Sequence, residues 1–124
     1  GNDITLVSWG ALVQDCLHAA EELGEQGISA EVIDVASLRP LDMDTILDSV
    51  QHTGRCLIVH EACRTGGFGA EIAARIAESG NELIVPLRRL TAPDIIVPYL
   101  RLEPFYAPDS ADIVAAAQDM MDRL

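Results

Sequence analysis

The residue types able to do chemistry gather in one short stretch. His60, Glu61 and Cys63 stand within four positions, and Arg64, Thr65 and the run Gly66-Gly67-Phe68-Gly69 follow at once. Histidine, carboxylate and thiol together first suggest a metal. A zinc-protease helix, however, needs a second histidine four residues after the first, and Arg64 stands there. The segment also reads as a strand end and not a helix, so no metal site is assigned. The glycines could cradle a phosphate at a helix N-terminus. Their spacing matches neither GxGxxG nor the GK[ST] ending of a P-loop, so a tight loop for close helix–strand packing, or for close approach of another subunit, is the better reading. His60 and Glu61 are then expected to hydrogen-bond a neighbouring chain or loop.

The remaining candidates are weaker. His18 and His52 fall on helix surfaces, and Cys16 and Cys56 read as small buried hydrophobes. Cys63, expected on the loop, is the thiol to test for reactivity. Ser8, Ser37 and Ser110 lack a GxSxG context, so no serine triad is indicated. No residue is assigned as catalytic or cofactor-binding.

The elements that must position this stretch alternate. Residues 4–9 (ITLVSW) form a first strand, apolar enough to be central. A helix follows, carrying Leu12, Val13, Cys16, Leu17, Ala20 and Leu23 at three- and four-residue spacing, with Gly27 at its exit. Residues 30–35 form a second strand, and strand–helix–strand in about thirty residues is the crossover unit of a parallel sheet. Asp42 is a natural N-cap for a helix burying Met43, Ile46, Leu47 and Val50, closed by Gly54. Residues 55–60 are the third strand, leading into the glycine loop and a helix with Ile72, Ala73, Ile76 and Ala77 on one face. Residues 83–90 are a fourth strand, at the sheet edge because Pro86 cannot donate to a ladder.

Residues 91–108 differ in kind. Pro93, Pro98, Pro104 and Pro108 hold them extended, and three of the five aromatics, Tyr99, Phe105 and Tyr106, lie here. The stretch is too apolar for a linker and is expected to lie against protein. Asp109 or Ser110 caps a last helix that buries Ile113, Val114, Ala117, Met120, Met121 and Leu124. The fold is α/β: a three-layer α/β/α domain on a mainly parallel four-stranded sheet in spatial order 2-1-3-4. Its switch point lies beside Trp9-Gly10 and His60-Glu61.

The 124 residues form one domain, and a hydrophobic fraction of 49% excludes disorder. A formal charge of −12 makes nucleic acid and anionic membranes poor partners and suits a basic protein. Three cysteines without CxxC spacing point to reduced thiols, and the absence of a long apolar run or signal segment to a cytoplasmic protein. The chain opens Gly1-Asn2-Asp3, without methionine, and is expected to be a piece of a longer polypeptide.

Four strings carry a resemblance over essentially the whole chain. They are Asp3 to Gly10, Val32 to Asp42, His60-Glu61-Ala62 with Thr65 to Ile72, and Arg89 to Asp94 with Pro98. In this order and at these gaps, the chain resembles the C-terminal domain of the transketolase family. It is most similar to the beta subunit of the thiamine-diphosphate-dependent decarboxylating component of 2-oxo acid dehydrogenase complexes. The wording around His60 and Glu103 to Asp109 resembles the branched-chain type.

The resemblance implies an enzyme of two alpha and two beta subunits, whose thiamine diphosphate sits outside this domain. The domain itself would build the contact with a second beta subunit and dock the peripheral subunit-binding domain of the acyltransferase core. By matching position it implies Glu61, Gly66, Gly67, Phe68 and Gly69 at the beta–beta contact, and Glu82 in docking. Relatives are acidic where this chain has Ile84. The family's extra antiparallel first strand and its cofactor-binding domain are absent, so the fragment is expected to be inactive. Two alternatives stand beside this: a free-standing flavodoxin-like nucleotide-binding module, and the same domain from a pyruvate or acetoin dehydrogenase or a deoxyxylulose-phosphate synthase.

Overall fold

The computed structural model describes residues 1–123. Its elements run β1 (Ile4–Ser8), α1 (Leu12–Glu25), β2 (Ala30–Asp34), α2 (Met43–Thr53), β3 (Cys56–Cys63), α3 (Gly69–Glu78), β4 (Arg88–Ala92), a 3₁₀ segment (Leu100–Phe105) and α4 (Ser110–Asp122). The four strands make one parallel sheet in the order β2-β1-β3-β4, as the apolarity of the first and third strands predicts.

The period of a strand divides the core in two. Ile4 and Leu6 of β1, with Leu57 and Val59 of β3, face a cluster built by α1 and α4. Val7, Cys56 and Ile58 point the other way, against Ile46 and Val50 of α2 and Ile72 and Ile76 of α3. Every residue of β1 is buried. Its one hydroxyl-bearing residue on the α2 side, Thr5, is satisfied by Ser49 and Thr53 at 2.8 Å each.

The helix ends follow from their residues. The Asp42 carboxylate accepts from the Thr45 backbone N–H at 3.1 Å, and Gly54 closes α2 at φ 70°. Asp109 and Asp112 form a reciprocal capping box at the start of α4. In α1 the buried stripe is Leu12, Cys16, Ala19 and Leu23, and Leu17 is 41% exposed. The expected stripe is thus rotated: Ala19 is fully buried in the core, and Ala20, expected there, is only partly buried against it.

Three boundaries differ from expectation. β3 runs on to Cys63, so His60, Glu61 and Cys63 belong to the strand and not the loop, with a register break between His60 and Cys63. β4 begins only at Arg88. Pro86 has no N–H to donate, and the residues before it form a turn in which Val85 enters the core and Ile84 N–H bonds Gly54 O at 2.9 Å. Residues 100–105 are 3₁₀ and not extended, and much of residues 95–105 stands clear of this chain's surface. Leu124, expected on the buried side of α4, lies outside the described residues. Among the described residues no helix is long and apolar enough to cross a membrane.

Candidate functional site

β1 and β3 are neighbours whose following helices lie on opposite faces of the sheet, which opens a crevice at their carboxyl ends. Here that crevice is filled by the chain's own rings. Trp9 stacks on His60, centroids 5.3 Å apart and planes 25° apart, and meets Phe68 edge-on at 5.9 Å. His60 is 1% exposed. Its Nδ1–H donates to Ala62 O at 3.1 Å, within its own strand end, so it does not reach out to a neighbouring chain. That hydrogen bond leaves the Nε2 lone pair buried and without a partner.

The glycine loop is the counterpart of this ring. A Cβ on Gly69 would stand 2.6 Å from Cδ2 and Nε2 of His60 and 3.1 Å from Cγ2 of Ile58. One on Gly67 would collide with the Cys63 carbonyl and stand 2.6 Å from His60 Cε1. Gly66 turns the chain at φ 74°. Burial pushes the His60 pKa down, against the Ala62 hydrogen bond, and the Arg89 charge adds to the depression. The ring is therefore a neutral packing element at the start of α3, where a helix N-terminus also disfavours positive charge.

The loop is clasped to the end of β4. Arg64 Nη1 donates to Arg89 O at 3.1 Å, and Arg89 Nη1 returns a hydrogen bond to Arg64 O at 2.9 Å. Asp94 accepts from both the backbone N–H and the hydroxyl of Thr65, at 2.8 and 2.6 Å, and these bonds hold its carboxyl below the usual range. Asp94 was missed as a positioning residue because its partner is 29 residues away.

The expected site residues divide. Gly66, Gly67, Phe68 and Gly69 share one loop, but Gly67 and Gly69 are buried against His60, whereas Glu61 is exposed at the strand end. Glu82 is exposed at the opposite, amino-terminal end of the sheet, near Ile84 and Gly54. The structure does not bring it together with the others. Burial pushes the Cys16 thiol up to about 11, against the opposing influence of the neighbouring Ser8 side chain, and Cys56 up to about 12. Cys63 is half-buried and donates to Thr65 O at 3.6 Å. Among the described residues no three His, Cys, Asp or Glu side chains are placed to hold a metal ion.

Comparison with known proteins agrees with this geometry. Residues 1–113 match the family model described as transketolase, C-terminal domain. The chain is 45% identical over 123 residues to the pyruvate dehydrogenase E1 component subunit beta of Staphylococcus epidermidis, and 41% identical to that of Staphylococcus aureus. Each match covers 98% of this chain but 38% of the relative, so the chain spans under two fifths of their length. A solved split gene transketolase, an inactive beta4 tetramer, superposes with a TM-score of 0.84 at 31% identity, over 99% of this chain and 39% of that one. A 2-oxoglutarate:ferredoxin oxidoreductase from Magnetococcus marinus shares the fold, with a TM-score of 0.67 at 12% identity, over 97% of this chain and 18% of that one. These beta-subunit relatives carry the pyruvate name, and the branched-chain expectation finds no support among them. The sheet order, the strand-end glycine loop and the match over residues 1–113 together place this chain in the transketolase C-terminal domain family.

Proposed function

We propose that this chain is the assembly domain of a thiamine-diphosphate-dependent 2-oxo acid dehydrogenase beta subunit, acting in a complex that decarboxylates pyruvate. It contacts a second beta subunit and docks the peripheral subunit-binding domain of an acyltransferase core. The alpha subunit and the other part of beta carry the cofactor and the chemistry. The filled switch point is the observation behind this reading. A nucleotide or flavin bound there would need the space that Trp9, His60 and Phe68 occupy.

Thiamine diphosphate does not fit the residues present either. A diphosphate needs free cations or a cradle of N–H groups, and the cleft beside the start of α3, lined by Arg39, Phe68, Glu71 and Arg75, sets a carboxylate among its cations, with Arg75 paired to Glu71 at 2.9 Å. Pyruvate is favoured over a branched-chain acid by the names of the relatives at 41 and 45% identity. Glu82 and the net charge of −12 supply the acidic surface that a basic docking domain would meet.

Calorimetry tests the reading. Titration with thiamine diphosphate should give no saturable heat, and titration with a purified acyltransferase peripheral subunit-binding domain should give saturable, salt-weakened binding. Micromolar binding of the cofactor, or saturable thermal stabilisation by a nucleotide or flavin, would return the nucleotide-binding alternative to the front.

A further inference from the structure

Beside the filled switch point the surface opens again. A cleft of about 720 Å³ runs between the turn that follows β2 and the first turns of α3. Small-molecule sites occupy roughly 300–1,000 Å³. The floor of the cleft is apolar: Leu38, Leu41 and Phe68 line it, each partly buried against the α2 and α3 side of the core. Three charged side chains stand at its rim, Arg39, Glu71 and Arg75. Glu71 and Arg75 pair with each other at 2.9 Å. Arg39 is exposed and has no ion pair among the described residues, although the chain carries twenty acidic side chains against eight basic ones. Its backbone is also held in place. Leu38 and Leu41 pair as an isolated antiparallel bridge, so Arg39 and Pro40 form the tip of a turn anchored in the core at both ends.

We propose that this cleft binds a small molecule carrying one carboxylate on an apolar body. The charge of the lining selects the head group. Two guanidinium groups against one carboxylate leave a single positive charge, and Arg39 is the cation not already paired. A guanidinium meets a carboxylate through two parallel hydrogen bonds. A second negative charge on the ligand would face Glu71, which disfavours a dianion such as a phosphate monoester or a diphosphate. An uncharged analogue leaves Arg39 unanswered, and an anion without an apolar body leaves the floor of Leu38, Leu41 and Phe68 in water. The position agrees with the fold, because open α/β sheets take their ligands outside the carboxyl ends of the strands, where β2 and β3 end beside this cleft. Phe68 carries occupancy inward: it forms one wall and meets Trp9, the single tryptophan, edge-on at 5.9 Å. Binding here requires neither a second subunit nor the thiamine cofactor.

Hexanoate is the probe, titrated to about 50 mM at constant ionic strength and followed by nitrogen–proton correlation spectra and by Trp9 fluorescence. Saturable shifts are expected at residues 38–41 and 68–75, with a parallel change in emission. Hexanamide lacks the charge and acetate lacks the apolar body, and each should bind about tenfold more weakly or worse. Arg39→Gln should weaken hexanoate about tenfold and leave the melting temperature unchanged, since the side chain is exposed. Glu71→Gln is the opposite arm: by freeing Arg75 it should tighten hexanoate and admit pyrophosphate, which the parent excludes. Shifts that do not saturate, or that spread over the whole chain, overturn the proposal. So does equal binding of hexanamide, indifference to Arg39→Gln, or pyrophosphate binding to the parent as tightly as hexanoate.

Discussion

Gly69→Ala is the substitution that most directly examines the packing of the switch point. Gly69 opens α3 with an ordinary helical φ, so alanine there carries no backbone strain and in isolation would favour the helix by up to about 1 kcal/mol. Sterics reverse the sign. The new methyl would stand 2.6 Å from two atoms of His60 and 3.1 Å from Ile58, with the ring pinned by Trp9 and by its bond to Ala62. Overpacking of this kind costs roughly 1–3 kcal/mol, for a net loss of about 1–2 kcal/mol. At this chain length the melting temperature should fall by about 4–8 °C. His60→Ala also destabilises, by removing a buried ring, yet it vacates the space the methyl needs. The double variant should therefore be less destabilised than the sum of the single losses, by about 1 kcal/mol or more. Gly67→Ala is the contrast: its methyl meets the Cys63 backbone carbonyl, so His60→Ala should not rescue it. Gly24→Ala, late in α1 with nothing within 4 Å, should stabilise by about 0.5 kcal/mol. Urea unfolding of the six variants, the two double variants included, measures all of this. A Gly69→Ala protein as stable as the parent, or a purely additive Gly69/His60 pair, would refute the account.

Three further outcomes are expected. Because the folded pKa of His60 lies below 6.5, the unfolded chain binds more protons there; its contribution to stability is complete above pH 6.5 and drains away as pH falls below it. Comparing parent and His60→Gln melting temperatures across that range should show the acid-side slope reduced in the variant. In the native state Cys63 alone should react readily with a thiol reagent, since burial holds Cys16 and Cys56 in the thiol form; two or three fast thiols would contradict the core packing. Asp109→Ala removes half of the α4 capping box and should cost about 1 kcal/mol in chemical denaturation, with Asp122→Ala at the far end of the helix near neutral.

Much of the architecture was legible from local pattern. The stretches Ile4 to Val7, with Thr5 as the one polar residue, and Leu57 to Val59 are apolar enough to read as central strands, and the fourth strand does lie at an edge, although it starts only after Pro86, at Arg88. That reasoning yields the order β2-β1-β3-β4. Asp42, Gly54 and Asp109 act on backbone groups within a few residues of themselves, so their roles as helix caps are visible in sequence. The position of Trp9 and His60 at one switch point follows from the same topology.

Other features depended on distance in space. Nothing local says that His60 turns inward to stack on Trp9, that Gly67 and Gly69 exist to admit it, or that Asp94 holds Thr65 across 29 positions. Those contacts arise only once β3, α3 and β4 are assembled, because hydrogen bonds and van der Waals contacts act over a few ångströms and not along the chain. The face that α1 buries, Leu12, Cys16, Ala19 and Leu23, was likewise decided by the core it shares with β1, β3 and α4. The segment between β4 and α4, residues 95–105, marks the boundary between the two kinds of knowledge. Its composition announced a surface that must be covered, since exposed apolar area is costly in water; only the tertiary structure decided that the other described residues leave much of it exposed.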